Sequence, residues 1–235
     1  MKRKIIVQVL LGIILMTGML LLTGCGQANK EDTSNDISSN KSTTTNVKDI
    51  ENNIKIVDSN VGADNRLSAV IKNNNNFDVG MIDLVANFYG SDNSLLNTAK
   101  ESIFVIGAGR EEAVRFYDSA PADYSKYEIT IKANDYSSDL NGYTLMNDKV
   151  SMQDKDTGDE IDVTFTNNSD QDIQNIDLQV VYYKDGKIVG MDQNYVNDLR
   201  AGSSEMSKMH YPYDSNYDDV TFDQYKVFYS AYNNK

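Results

Sequence analysis

Apolar and polar residues alternate with a period of two along much of the chain beyond residue 50. Residues 161–165 show this alternation, and the run ends at a turn-forming cluster that starts at Asn167. Residues 176–182 alternate again and lead into 184–187, whose Asp-Gly dipeptide is favoured in two-residue hairpin turns. Alternation places every second side chain on one face of a strand. The pattern therefore predicts short antiparallel strands, and no window shows the apolar period of a helix.

An internal repeat arranges these runs in two copies. Residues 67–89 align with residues 161–183 at a constant offset of 94, with seven identities in 23 positions. A repeat of this kind indicates that a whole structural unit was duplicated. The identical pairs are Asn73 and Asn167, Asn74 and Asn168, Asp78 and Asp172, Ile82 and Ile176, Asp83 and Asp177, Leu84 and Leu178, and Tyr89 and Tyr183.

Each copy is predicted to contain six or seven short strands, with a glycine-bearing turn at 107–109 in the first and at Gly202 in the second. Regular short strands with turn signals are typical of a β-sandwich. We therefore expect an all-β protein with two tandem sandwich domains at 51–138 and 139–235. Beyond the aligned segments, strands are predicted at 54–61, 113–117, 127–131, 143–152, 206–211 and 225–229.

The N-terminal segment is basic and then apolar. Lys-Arg-Lys at 2–4 precedes 18 uncharged residues, 5–22, and the chain's single cysteine follows. This pattern resembles the signal peptide and lipobox of bacterial lipoproteins. The resemblance implies that residues 1–24 are removed, that the cysteine thiol carries a diacylglycerol, and that the protein is anchored outside the cytoplasm on the cell membrane of a Gram-positive bacterium. The lipobox residues are Leu22, Thr23, Gly24 and Cys25.

Two other interpretations of the N-terminal segment are open. Eighteen uncharged residues are about the minimum that spans a bilayer as a helix, so an uncleaved anchor is one alternative. The other is a cleaved secretory signal without lipid. All three interpretations place the rest of the chain outside the cytoplasm.

Composition separates a tether from the folded part. Residues 26–50 contain almost no large apolar side chains, so we expect 25–50 to form the lipidated cysteine and a flexible, disordered spacer.

The full chain has a net charge of -13 at pH 7, and loss of residues 1–24 removes three positive charges and no negative ones, giving -16. Nucleic acid requires a positive surface, so it is not an expected partner. Once Cys25 is lipidated, no thiol remains for a disulfide or a zinc site.

The repeated unit also resembles a known family. A strand, an Asn-rich turn, an Ile-Asp-Leu strand that ends in paired aromatics, an Asp-Gly hairpin and an Ala-Gly turn are similar to the FxLYD-type domains of bacterial lipoproteins, and more loosely to immunoglobulin-like modules of Gram-positive surface proteins. The name-giving motif is best matched at 180–184 and more weakly at 86–90. The resemblance implies an immunoglobulin-like sandwich outside the membrane and no established chemistry.

Several polar groups are candidates for chemistry, but each has a structural explanation. His210 has no cysteine and no nearby nucleophile, so we predict neither a catalytic nor a zinc site, and no metal or cofactor. An acidic run could supply calcium ligands, but it lacks the spacing of an EF-hand and is better explained as a charged turn. The same holds for a second acidic group. The two groups are Asp154, Asp156, Asp159 and Glu160, and Asp214, Asp218 and Asp219.

The tyrosines of the second copy are the remaining candidates for binding. Most of them alternate along predicted strands, as core packing requires. Tyr213 and Tyr217 lie in a loop after Pro212, and we expect them to contact a ligand or partner. The repeated Asn73-Asn74 and Asn167-Asn168 are explained by turns, because Asn tolerates left-handed backbone.

These observations predict a non-catalytic binding or scaffolding module at the cell envelope. Its expected partners are the membrane, through the lipid, and an envelope protein or glycan. The alternatives are an enzyme or an accessory subunit in envelope metabolism, and, less strongly, a solute-binding transport lipoprotein. A deep polar pocket between the two sandwiches with convergent carboxylates would favour the enzyme.

Overall fold

Strands make up most of the regular structure in the computed structural model, which describes residues 46–135 and 137–235 but not the side chains of Asp139 and Asn141. Residues 1–24, Cys25 and most of the predicted tether lie outside the described residues. In chain order the elements are α1 (Val47–Asn53), β1 (Ile54–Val61), β2 (Arg66–Asn73), β3 (Val79–Tyr89), β4 (Leu95–Ile106), β5 (Glu111–Ser119), β6 (Lys126–Lys132), a 3-10 helix (Ser137–Gly142), β7 (Tyr143–Leu145), a second 3-10 helix (Asn147–Lys149), β8 (Val150–Asp156), β9 (Glu160–Asn167), β10 (Ile173–Lys184), β11 (Lys187–Leu199), β12 (Ser204–His210) and β13 (Gln224–Asn234).

The strands form four antiparallel sheets, so the prediction of an all-β sandwich fold is confirmed. In the first half of the chain, β1-β2-β5 forms one sheet and β4-β3-β6 the other. The second half repeats this order with β8-β9-β12 and β11-β10-β13, and β7 extends the latter along β13. The number of independent domains stays a prediction, because the described residues all belong to one compact unit.

Each half has its own apolar core between its two sheets. Alternating residues of β2 and β3, such as Leu67 and Ile82, meet in the first core. Ile161 of β9 and Leu178 of β10 occupy the matching positions in the second. All four side chains are fully buried, as the period-two alternation in the sequence predicts.

The repeated asparagines hold the same corner in both halves. The Asn73 side-chain amide donates to the carbonyls of Phe77 and Ile106, at 3.0 and 3.1 Å. The Asn167 amide donates to the carbonyls of Gln171 and Leu199, at 2.8 and 3.1 Å. Both side chains are completely buried. The repeat thus places Asn73 and Asn167 at matching corners, where they act through side-chain hydrogen bonds and not through the left-handed backbone that the prediction assumed.

A repeated aspartate closes the corner in each half. The Asp78 carboxylate accepts a hydrogen bond from the Ala108 amide at 2.8 Å. The Asp172 carboxylate accepts one from the Ala201 amide at the same distance. The predicted Gly-bearing turns that follow have positive φ at Gly109 in the first half and at Gly202 in the second.

The hairpin predicted at 184–187 is also present. Lys184 pairs with Lys187 across a two-residue loop, and Asp185 and Gly186 both have positive φ, at 50° and 74°. Those signs are what a type I′ turn requires.

Two local features differ from the predicted pattern. The strand predicted over 143–152 is divided into β7 and β8 by the 3-10 helix Asn147–Lys149. The short helix α1 covers the last residues of the predicted tether, with Asn46 as its N-cap and Ile50 buried in the first core. A helix of seven residues spans two turns, which is too short to show an apolar period in the sequence.

The two halves pack against each other through a third apolar cluster. Val70 and Ala113 of the first half meet Val181, Tyr183 and Phe228 of the second. Hydrogen bonds cross the same contact, including one of 2.6 Å from the Arg115 guanidinium to the Met191 carbonyl. The outer face of β10 is therefore buried as well as its inner face. The contact also creates a polar cleft, described below.

Candidate functional site

The predicted contact residues lie in the loop of residues 211–223, which joins β12 to β13. Pro212 is buried at the start of this loop, where it packs on Gly190 of β11 so closely that a Cβ at that glycine would lie 2.6 Å from the proline Cβ. Tyr213 forms a β-bridge with Asp219, which closes the loop into a narrow turn. The segment that carries the tyrosines is thus packed on the sandwich at Pro212 and closed on itself by the bridge.

Asp214 organises the turn from inside. Its carboxylate accepts hydrogen bonds from the backbone amides of Asn216 and Asp218, at 2.8 and 3.0 Å. These bonds, that from Asp218 first, hold the pKa of Asp214 below its usual value. The Asp214 amide in turn donates to the Asp218 carbonyl at 2.9 Å. The carboxylate is therefore occupied by the turn itself.

Tyr213 and Tyr217 stack on each other at the tip of this turn. Their ring centroids are 5.4 Å apart and the ring planes are inclined by 23°. Tyr217 is 82% exposed, the largest value among the exposed apolar and aromatic side chains of the described residues. Its φ of 66° is unfavourable for a bulky residue. A strained, solvent-exposed aromatic in a hydrogen-bonded turn is a feature typical of functional loops.

The stacked pair borders an open cleft of about 320 Å³, which we call the aromatic cleft. It combines aromatic faces with hydrogen-bonding side chains. The lining residues are Gly158, Asp159, His210, Tyr211, Tyr213, Tyr217 and Asp219. The structure therefore brings the two predicted contact residues together in one site, with one acidic residue from each of the two candidate groups.

His210 contributes an imidazole to the edge of the cleft. Its side chain is 80% exposed, and Nδ1 lies 3.5 Å from a carboxylate oxygen of Asp192. The same carboxylate accepts the His210 backbone amide at 2.7 Å. His210 is thus a surface residue at the edge of the cleft rather than a core residue.

The acidic run beside the cleft belongs to the β8–β9 hairpin. The Asp154 and Asp156 carboxylates accept hydrogen bonds from the hydroxyls of Tyr225 and Tyr211, and Glu160 pairs with Lys208. The bond from Tyr211 to Asp156 raises the pKa of that tyrosine to about 12. In the part of the chain that the structure describes, no group of three or more acidic, His or Cys side chains is arranged to hold a metal ion.

A second cleft, of about 300 Å³, lies between the two halves, and we call it the inter-half cleft. Its lining includes acidic and amide side chains of both halves, among them Glu112, Asp177, Gln179 and Gln193. Tyr117 and Tyr195 border it and are each more than half exposed. The Gln193 amide donates to the Tyr117 hydroxyl across the contact.

Glu112 is the unusual group of the inter-half cleft, because its side chain is almost completely buried. Burial raises its pKa to about 8. The Ser230 hydroxyl lies 2.6 Å from its carboxyl oxygen and 3.2 Å from the Val105 carbonyl. The Ser230 hydroxyl donates a hydrogen bond to Glu112, which partly offsets the effect of burial on the pKa of the carboxyl.

Asp177 is the second carboxyl of this cleft. Burial raises its pKa to about 6, partly offset by a hydrogen bond from the Tyr232 hydroxyl. Two carboxyls with raised pKa values in one cleft are able to hold protons near neutral pH. This cleft was not predicted from the sequence. The residue that could have indicated it is Glu112, because this charged residue occupies the next inward-facing position of the alternation formed by Val114 and Phe116.

No helix in the described ranges has the length and apolar character needed to cross a membrane. None of the protein-family models matches the chain, and none of the curated proteins does.

Proposed function

We propose that this protein is a lipid-anchored, extracytoplasmic binding module of the bacterial cell envelope, and that the aromatic cleft is its binding surface. One observation carries the binding role: Tyr213 and Tyr217 stack in a strained, hydrogen-bonded turn beside an open cleft. Aromatic side chains with one exposed face are enriched where proteins bind partners. A turn that is already ordered loses little conformational entropy on binding.

The anchor rests on the sequence. Residues 2–4 are basic, 5–22 are uncharged, and Cys25 follows a small residue, as in bacterial lipoproteins. Two acyl chains, at about 0.8 kcal/mol per buried methylene, hold a protein on a bilayer for long times. The resemblance to FxLYD-type and immunoglobulin-like surface domains supports the same location.

Photocrosslinking in intact cells tests the binding role. A photoreactive amino acid replaces Asn216. This residue is exposed, and it lies between the two tyrosines in the sequence. We expect it to capture an envelope component, and we expect capture to fall sharply when Tyr213 and Tyr217 are both changed to Ala. The same probe at Leu95, an exposed residue of β4, serves as the control position. Equal capture with and without the two tyrosines would contradict the proposal.

The anchor has a separate test. Cys25→Ala removes the lipid acceptor, so the variant is expected to leave the membrane fraction or to accumulate as uncleaved precursor. Fractionation followed by mass spectrometry of the N-terminus distinguishes the two results. A variant that stays in the membrane fraction with a processed N-terminus would exclude lipidation at Cys25.

A second candidate function is an enzyme, or an accessory subunit of one, that acts at the cell envelope. The inter-half cleft favours it, since a carboxylic acid that is neutral near pH 7 beside a second carboxyl suits acid–base chemistry. Almost complete burial of Glu112 argues against direct contact with a substrate. Release of soluble fragments from purified envelopes by the wild-type chain, lost in Asp177→Asn, would establish this function, and no release would exclude it.

A further inference from the structure

The chemistry around the aromatic cleft selects a class of ligand. We propose that the cleft binds a saccharide with free amino groups, such as a chain of N-deacetylated hexosamine units. This inference rests on the proposed binding role of the cleft and names its ligand. Three properties of the site carry it: the shape of the aromatic surface, the hydrogen-bonding groups next to it, and the sign of the charge.

The aromatic surface suits a sugar ring. Tyr217 is 82% exposed, so its outer face is free to contact a ligand. The apolar CH face of a pyranose is flat and similar in size to a phenol ring, so the two surfaces pack against each other as aromatic rings pack on other flat apolar groups. The cleft holds about 320 Å³, enough for one or two sugar units.

The polar groups beside the rings suit hydroxyl and ammonium donors. Asp159 and Asp219 line the cleft from opposite elements, the β8–β9 hairpin and the loop of Tyr217. A carboxylate is an acceptor only, and its hydrogen bonds to charged donors are stronger than those to neutral ones. An ammonium group next to a tyrosine ring gains a further cation–π attraction.

The charge of the surroundings disfavours anionic polymers. Among the described residues that line the aromatic cleft, none is Lys or Arg. Lys208, on the neighbouring strand β12, is paired with Glu160. The whole chain carries a net charge of -13, which adds to the negative potential. A phosphate- or carboxylate-rich glycan would therefore be repelled, whereas a cationic saccharide would be attracted.

Titration of the full chain, purified in detergent, tests the ligand class. The probes are a glucosamine hexamer, its fully N-acetylated counterpart and a hexamer of galacturonic acid, each followed by calorimetry at about pH 6.5, where carboxylates with ordinary pKa values are ionised. We expect the glucosamine hexamer to bind at least about tenfold more tightly than the N-acetylated hexamer, with an affinity that falls as salt is added. The anionic hexamer is expected not to bind.

Variants place the binding in the aromatic cleft. Tyr217→Ala is expected to weaken binding of the glucosamine hexamer about threefold to tenfold, and Tyr217→Phe to keep it. Tyr217→Asn gives a second test without the ring, because Asn tolerates the positive φ at this position. Tyr195→Ala is the matched control, an exposed tyrosine of the inter-half cleft.

The outcomes separate the ligand class from the binding role. Equal binding of the amino and N-acetylated hexamers, binding of the anionic hexamer, or a loss in Tyr195→Ala instead of Tyr217→Ala would each overturn the inference. If no hexamer binds but photocrosslinking from position 216 still depends on Tyr213 and Tyr217, the ligand class is wrong and the binding role stands. If crosslinking does not depend on the tyrosines either, both are wrong.

Discussion

The two halves of the molecule share their strands and corners but differ in one loop. The segment between β5 and β6 in the first half has six residues, 120–125, while the matching segment between β12 and β13 has 13 residues, 211–223. In the short loop Tyr124 packs edge-on against Phe88, with centroids 5.6 Å apart. In the long loop Phe222 packs on Tyr182, with centroids 4.9 Å apart and ring planes inclined by 58°.

The longer loop of the second half carries the candidate binding site. Phe88 and Tyr182 are matching positions of the repeat, so Tyr124 and Phe222 fill the same place at the end of each sandwich. The additional residues of the long loop come before Phe222 and carry the Tyr213–Tyr217 pair. Duplication thus supplied two similar scaffolds, and a longer loop on one of them supplied the candidate binding surface.

A second difference concerns one repeated aspartate. Asp83 is exposed in the first half, where its carboxylate accepts a hydrogen bond from the Ser102 hydroxyl. Its counterpart Asp177 lines the inter-half cleft, and burial raises its pKa. The same residue in the same strand position has different properties because the other half covers one copy and not the other.

The largest effects are expected at the shared corners. Asn73→Ala and Asn167→Ala each remove a buried side chain whose amide donates to two backbone carbonyls, one of them buried. Because each buried group left without a partner costs about 1 to 3 kcal/mol, each variant is expected to lose about 3 kcal/mol of unfolding free energy or more. Urea denaturation followed by circular dichroism measures this. A loss of unfolding free energy below about 1 kcal/mol in one of the two variants would show that the two corners are not equivalent.

The next effect concerns Glu112 at the contact between the halves. Glu112→Gln keeps the shape of the side chain and cannot ionise. The folded-state pKa of Glu112 is about 8, above the unfolded value of 4.5, so the stability that its neutral form contributes is complete below about pH 4.5 and is lost as pH rises to about 8. The variant is therefore expected to be more stable than wild type by a few kcal/mol at pH 8.

Unfolding free energies of wild type and Glu112→Gln, measured between about pH 5 and pH 8, check this prediction. The difference is expected to grow steadily with pH over that range. Asp177→Asn serves as the comparison, with a smaller change that ends near pH 6 because its folded pKa is lower. A difference for Glu112→Gln that does not change with pH would show that the carboxyl is charged in the folded protein.

A smaller effect is expected at two matching tyrosine hydroxyls. The Tyr127 hydroxyl donates to the Ser59 carbonyl at 2.9 Å, from the sixth strand of the first half to its first strand. The Tyr225 hydroxyl donates to the Asp154 carboxylate at 2.7 Å, between the corresponding strands of the second half. Tyr127→Phe and Tyr225→Phe are each expected to cost about 1 kcal/mol in thermal or urea unfolding. A cost confined to one half would mean that the two bonds are not equivalent.

The smallest effect on stability is expected in the loop that distinguishes the halves. Tyr217→Ala removes a side chain that is 82% exposed, so the unfolding free energy is expected to change by less than about 0.5 kcal/mol. Tyr217→Gly is expected to be slightly stabilising, because glycine relieves the strain of the positive φ. A thermal melt of both variants tests this. A loss above about 2 kcal/mol would show that the ring is structural.

The sequence predicted the fold well where local rules apply. Alternation predicts strands such as β9, in which Ile161, Val163 and Phe165 face the core. The Asp-Gly hairpin depends on two residues that tolerate positive φ, which is a property of those residues alone. The repeat predicted matching corners, because the same turn chemistry occurs twice. The long loop was found through its two tyrosines, but their stacking depends on a turn geometry that no local pattern specifies.

The contact between the halves was not predicted, because it depends on long-range packing. Val181 and Tyr183 are buried on the outer face of β10 while Val180 and Tyr182 are buried on its inner face. A continuous apolar run of this kind is a signal for a strand covered on both sides. The same run also matches the family motif at 180–184. The strand predicted at 113–117 begins one residue after Glu112, whereas β5 includes it.

Sedimentation with purified cell envelopes tests the central claim, that the loop of the second half is the binding surface of an otherwise duplicated scaffold. The full chain, kept in detergent, is mixed with envelope fragments, and the pelleted fraction is compared for wild type, the Tyr213→Ala/Tyr217→Ala double variant and Tyr195→Ala. We expect wild type and Tyr195→Ala to pellet with the envelopes and the double variant to stay in solution while keeping the wild-type melting temperature. A folded double variant that pellets as strongly as wild type would contradict the account.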